Sequence, residues 1–220
     1  MKVCTDSCLF GAWVTNAMME NVAHNILDIG TGTGLLSLML AQKYPAANFH
    51  CIEIDKGASI EAKLNFDNSK WSSQFKVFNQ DFMSYNATVN YDLIICNPPF
   101  YNNQLSSPDN KRNAAMHSSE FSLEELFVHS SELVAKNGYL ACLIPYNRTA
   151  ETMNIIADAG WFVEKITYLK QTTTHDYFRT MLLCKKSPQV INETEMSIKG
   201  NQQYTTEFVD LLREYYLFLK

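Results

Sequence analysis

The chain has 220 residues, 46% of them hydrophobic and 19% charged, with a formal net charge of -5. That balance excludes a disordered chain and supplies apolar material for a substantial core. It also excludes a global basic field of the kind that draws in nucleic acid, so any such partner would need a local basic patch. The six cysteines (4, 8, 51, 96, 142 and 184) form no CxxC pair, and the five histidines have no ligand-like spacing. Reduced cysteines and no metal are therefore expected. No apolar stretch near Met1 reads as a signal peptide, and GLLSLMLA is too short to cross a bilayer. The expectation is a cytoplasmic protein that uses no membrane and acts as a monomer.

In chain order, an N-terminal segment (1–25) leads into the strand-like run HNILDIG, followed by NFHCIEI, QFKVFNQ, YDLIIC, GYLACLIP, WFVEKITYL and RTMLLCKK. Helical segments are predicted over 35–43, 58–68, 123–136 and 150–159. Ser122 and Glu125 make a capping box for the third of these, with Phe121 and Leu126 as its staple. Several strands are continuously apolar, as strands of a parallel sheet covered on both faces should be. The β-α-β-α order predicts an α/β, Rossmann-like doubly wound, mostly parallel sheet. KQTTTHD joins the last two runs without a helix, which predicts an antiparallel edge hairpin. Apolar residues at 208, 211, 212, 215 and 219 predict an amphipathic helix over 204–219 docked on the core. The whole chain, 1–220, reads as a single domain.

Two stretches carry chemistry. LDIGTGTGLLSLML sets Gly30, Gly32 and Gly34 between a strand and a helix, where glycine lets the backbone turn tightly and approach a ligand. The spacing is GxGxG with Leu35 next, so the dinucleotide fingerprint GxGxxG is not met. Glu53 ends the following strand, about 20 residues on, where an acid can take both hydroxyls of a ribose. Asp81 follows the third strand-like run, where a carboxylate can face an adenine amino group. In this order, at the ends of successive strands, these residues favour a nucleoside ligand.

The second stretch is YDLIICNPPFYNN. Its strand stops at two prolines, which donate no backbone hydrogen bond. Asn97 supplies a side-chain carbonyl and Pro98 a backbone carbonyl, which Pro99 restrains by holding Pro98 extended. Two acceptors suit the hydrogens of an exocyclic amino group, whose lone pair is otherwise delocalised into its ring. Phe100 offers a flat surface for a base, worth about 1–3 kcal/mol of stacking. The polar stretch after the motif holds Lys111 and Arg112, which could meet phosphates. A proline-terminated strand beside a structural Asn is the plainer alternative.

DIGTGTG, Glu53, Asp81 and NPPF together resemble the class I S-adenosylmethionine-dependent methyltransferases that act on exocyclic or amide nitrogens. The resemblance implies that Asp28, Gly30, Gly32 and Gly34 line the methionine part of S-adenosyl-L-methionine. Glu53 would hold the ribose, Asp81 with Phe82 the adenine, and Asn97 would border both cofactor and target. MKVCTDSCLFGAWV, SLEELF and the terminal YLFLK extend the likeness over nearly the whole chain. There it is similar to the bacterial family that makes N6-methyladenine at position 37 of valine tRNA. This implies tRNA as partner, through an anticodon-loop adenine, and Asn97, Pro98, Pro99 and Phe100 as the catalytic motif. The motif also serves rRNA guanine N2 and protein glutamine N5 methylation, and an inactive cofactor-binding, RNA-binding scaffold is the non-enzyme alternative. The glutamine enzymes carry a helical domain ahead of the glycine loop, where this sequence has 27 residues. Family members usually carry a further strand before this Met and glycines where Cys4 and Ser7 stand, which implies either a shortened N-terminus or a start assigned late. Lys2, Thr5 and Asp6 then either cover the cofactor site or form a polar loop.

Overall fold

The computed structural model describes residues 4–98 and 121–219; Lys2, Pro99, Phe100, Lys111 and Arg112 lie outside the described residues. Among the described residues, nine strands form one sheet: β1 (Asn25–Ile29), β2 (Asn48–Ile52), β3 (Phe75–Phe78), β4 (Tyr91–Cys96), β5 (Val134–Pro145), β6 (Phe162–Thr172), β7 (Tyr177–Lys185), β8 (Asn192–Gly200) and β9 (Gln203–Tyr204). Their order is β3-β2-β1-β4-β5-β7-β6-β8-β9. The first five pair in parallel, and β7 inserts antiparallel between β5 and β6. This is the doubly wound sheet with an antiparallel hairpin that the strand order implied. Two strands that the sequence pattern did not mark continue the sheet past the hairpin: β8 beside β6 in parallel, and β9 folded back on β8.

The helices are α1 (Thr5–Ala17), α2 (Leu35–Ala41), α3 (Lys56–Asp67), α4 (Leu123–Leu133), α5 (Thr149–Asp158) and α6 (Thr206–Leu212). One apolar cluster joins α1, α2, α3 and α6 to one face of the sheet through Phe10, Leu40, Phe66, Phe208 and Ile95. The other joins α4 and α5 to the opposite face through Phe127, Ile156, Ile94 and Leu182. Alternation of side chains along β4 and β5 feeds both clusters, which is why those strands read as unbroken apolar runs.

Three boundaries differ most from expectation, the other helices shifting by one or two residues. The N-terminal segment holds helix α1, whose Thr5 and Asp6 form its first turn and no polar loop. The helix at 123 keeps its capping box but ends at Leu133, because Val134 turns extended and pairs with Tyr91 at the start of β5. The C-terminal helix spans Thr206–Leu212, with no helix over the full 204–219. After Leu212 the chain turns, which brings the Tyr215 hydroxyl to 2.9 Å from Thr15 Oγ1 on α1.

Candidate active site

The strand register decides the geometry of the site. Ile29 of β1 stands opposite both Ile52 of β2 and Cys96 of β4, and Ile52 stands opposite Phe78 of β3. The next residue of each strand therefore emerges at one level: Gly30, Glu53, Asn79 and Asn97. Parallel strands aim their carboxyl ends at one edge, and this edge is where α/β sheets bind ligands.

Beneath that edge lies Asp28, 1% exposed. Its Oδ2 accepts from Thr31 Oγ1 at 2.7 Å and from Ser37 Oγ at 2.6 Å. Its Oδ1 is buried and has no partner among the described residues. Burial pushes the carboxyl up to about 6, against the two hydroxyl bonds that pull it down. A buried acceptor left open is costly and marks a place where a donor or cation belongs.

The glycine loop above it has committed four of its backbone donors. Gly30 and Thr31 N–H both donate to Ile52 O, Gly34 N–H donates to Thr31 O, and Gly32 N–H donates to Glu53 Oε2 at 2.8 Å. A pyrophosphate needs such donors free at a helix N-terminus. With these four occupied and an open carboxylate beneath, the loop suits a ligand bearing a cationic group. Gly30, Gly32 and Gly34 all have positive φ. Among the described residues a Cβ on Gly30 would meet nothing within 4 Å, whereas one on Gly34 would strike the Phe66 ring at 2.4 Å. Gly30 thus leaves room for a ligand, and Gly34 is required by packing.

Glu53 is held from two sides, by Gly32 N–H and by Asp55 N–H at 2.9 Å to Oε1. Each carboxylate oxygen keeps a second acceptor position, so a ribose diol still fits. Asn79 Nδ2 donates to the backbone oxygens of Glu53 and Ile54 and pins the turn that carries this acid. Asp81 caps a 3-10 turn at Phe82–Ser84 through Met83 N–H. The Phe82 ring is buried, edge-on to Phe121 and His129, which leaves only its backbone to meet a ligand.

Asn97 follows β4, and its Nδ2 donates to Ser7 Oγ of α1 at 2.9 Å. Its Oδ1 is buried with no partner among the described residues. The motif thus presents an open carbonyl acceptor beside the half-buried Pro98. Of the predicted set, Asp28, Gly30, Gly32, Glu53 and Asn97 converge on one edge. Ser7, Thr31, Ser37 and Asn79 orient them, and the sequence had not singled these out as site residues. A hydroxyl at a helix position has no signature until its partner is known.

The residues present fit S-adenosyl-L-methionine: a carboxylate oxygen without a partner among the described residues for its ammonium, a glycine with open space before it, and an acid just past the end of the next strand for its ribose. The family model for the methyltransferase small domain matches residues 11–158. A "tRNA1(Val) (adenine(37)-N6)-methyltransferase" of Christiangramia forsetii is 36% identical, across 100% of this chain and 92% of its own. The chain belongs to this methyltransferase family. A relative of the same name from Aliivibrio fischeri strain MJ11 is 35% identical over 99% of this chain and 91% of its own. The fold of the family member is shared with a solved Agrobacterium tumefaciens protein described as a "predicted O-methyltransferase". That likeness has a TM-score of 0.70 at 16% identity, covering 94% of this chain and 95% of the other. Among the described residues, no helix is long and apolar enough to cross a membrane.

Proposed function

We propose that this chain methylates the exocyclic N6 of adenine 37 in valine tRNA, with S-adenosyl-L-methionine as methyl donor. When bound, the cofactor supplies an electrophilic methyl group on a sulfonium and departs as the neutral thioether. Asp28 Oδ1 receives the ammonium of its methionine part, Glu53 the ribose hydroxyls, and Asp81 the adenine amino group. The observation that carries the reading is Asn97 Oδ1, a buried acceptor with no partner among the described residues at the end of β4.

In the reaction, Asn97 Oδ1 and the Pro98 carbonyl accept the two N–H groups of the target. That favours the pyramidal form of the nitrogen, with its lone pair free to attack. The attacking nitrogen becomes cationic and strongly acidic, so its proton leaves to water without a dedicated base. Most of the acceleration then comes from holding the nitrogen in line, a positioning effect. Phe100 stacks on the base. An anticodon loop presents its bases unpaired, so the target enters without opening a duplex.

The whole chain, 1–220, acts as one methyltransferase domain, in the cytoplasm and as a monomer, which sedimentation of the purified protein checks. Lys111 and Arg112 hold phosphates of the loop. Lys111→Glu with Arg112→Glu should weaken tRNA binding and flatten its salt dependence, leaving cofactor affinity unchanged. The deciding experiment incubates unmodified valine tRNA with purified protein and labelled cofactor, then analyses nucleosides by mass spectrometry. N6-methyladenosine at position 37 is the expected product. Methylation of rRNA guanine or of glutamine amides, with valine tRNA untouched, would overturn the reading.

A further inference from the structure

The geometry points to Ser7 as the positioning residue that turns the Asn97 amide so that its carbonyl oxygen faces the reacting nitrogen. This deepens the adenine-N6 reading and rests on it. An Asn side chain presents either a carbonyl or an amino group by a half-turn about its last bond, and only the carbonyl can accept from the target. The Asn97 amide therefore needs something that prefers its NH2 on the other side. Ser7 Oγ accepts from Asn97 Nδ2 at 2.9 Å across 90 positions of sequence, and Ser7 is 5% exposed. A hydroxyl can also donate, which would favour the wrong half-turn. Its single proton has another outlet, because Cys4 Sγ lies 3.3 Å from Ser7 Oγ. With the proton directed to the thiol, the lone pairs of Ser7 face Asn97 and select the productive orientation.

Ser7 is itself anchored. Its backbone N–H donates to Asp6 Oδ1 at 3.1 Å, and Asp6 Oδ2 accepts from Arg179 Nε at 3.0 Å. Both members of that ion pair are largely buried. Arg179 lies on β7, opposite Pro145 at the end of β5, so the first turn of α1 is tied to the edge that carries Asn97. The helix itself is fixed further along by Trp13 Nε1, which donates to Thr167 Oγ1 at 3.0 Å. Ser7 thus belongs to a rigid element, which a group that must orient another requires.

The test is Ser7→Ala, which removes the hydroxyl from a helical position that alanine favours. Single-turnover methyl transfer to valine tRNA should slow by about fivefold to tenfold, the effect of one neutral hydrogen bond. Affinity for S-adenosylhomocysteine and the tRNA half-saturation point should not move. In an Asn97→Ala background the same substitution should change the rate by less than about twofold, since residues that act through one another are not additive. The Asn97 side-chain amide resonance should shift in Ser7→Ala, because its Nδ2 proton loses an acceptor. Three results overturn the inference while leaving the functional reading intact: a Ser7→Ala rate equal to wild type, an undiminished loss in the Asn97→Ala background, or an unchanged Asn97 amide resonance. A wild-type protein that transfers no methyl group to the tRNA overturns both.

Discussion

Glu53 Oε2 accepts the backbone N–H of Gly32 at 2.8 Å, which joins the acid at the end of β2 to the glycine loop at the end of β1. The acid proposed to hold the ribose is therefore also a brace for the glycine loop, the proposed seat of the methionine part of the cofactor. Its other oxygen accepts from Asp55 N–H, so the turn into α3 rests on the same carboxylate.

Glu53→Ala should consequently do more than delete ribose contacts. Hydrogen bonds to a charged group are worth about 1.5–3 kcal/mol each, so S-adenosylhomocysteine affinity should fall at least tenfold. Glu53→Gln keeps one acceptor oxygen, enough for Gly32 N–H but not also for Asp55 N–H, and should leave the loop more ordered than alanine does while binding less tightly. Calorimetry separates the two variants, and amide hydrogen exchange at Gly32 reports the brace.

Gly34 and Gly30 look alike in sequence and should respond differently to alanine. Gly34→Ala combines a left-handed φ with a Cβ driven against Phe66, and should destabilise the fold by about 2–4 kcal/mol in urea unfolding. Gly30→Ala meets no neighbour within 4 Å among the described residues and should cost only about 1–2 kcal/mol, from its positive φ. Its larger effect should be on cofactor affinity, because the new methyl group occupies the space left for the ligand.

Asp28 makes stability fall with rising pH. Its folded carboxyl is raised to about 6, so between about pH 4 and pH 6 the folded state holds a proton that the unfolded chain has released. The stability this proton supplies is present at low pH and lost as pH rises through the folded value. The shift corresponds to about 3 kcal/mol. Asp28→Asn should flatten that window in thermal melts and raise the melting temperature of the ligand-free protein at pH 7.5. It should also weaken S-adenosylhomocysteine binding, because the ammonium loses its carboxylate. Near pH 6, binding to the wild-type protein should release a proton, seen as a dependence of calorimetric heat on buffer ionisation.

Asn97→Ala should split binding from chemistry. Its amide faces the target nitrogen in the proposed complex, so S-adenosylhomocysteine affinity should stay within about threefold while kcat falls by about 10²–10³. Wild-type turnover in this variant would show that the motif is only a strand terminator.

What the sequence by itself determined were the elements that announce themselves locally. The parallel strands are unbroken apolar runs because both faces are covered, and Ser122 with Glu125 marks the start of α4 before any contact is known. The glycine loop, Glu53 and Asn97 were legible because each sits at the end of a readable strand. Helix α1 was not, because residues 7 to 15 are buried all round. A helix enclosed by the sheet, α2 and α6 has no polar stripe and so no 3.6-residue signal. Strand β8, NETEMSIKG, was hidden for the opposite reason: it is largely exposed and polar, and joins the sheet through its backbone pairing with β6. Only the tertiary structure decided which glycine faces open space, since Phe66, 32 positions from Gly34, fills the alternative. It also decided which way the Asn97 amide turns, because that choice belongs to Ser7, 90 positions away on α1.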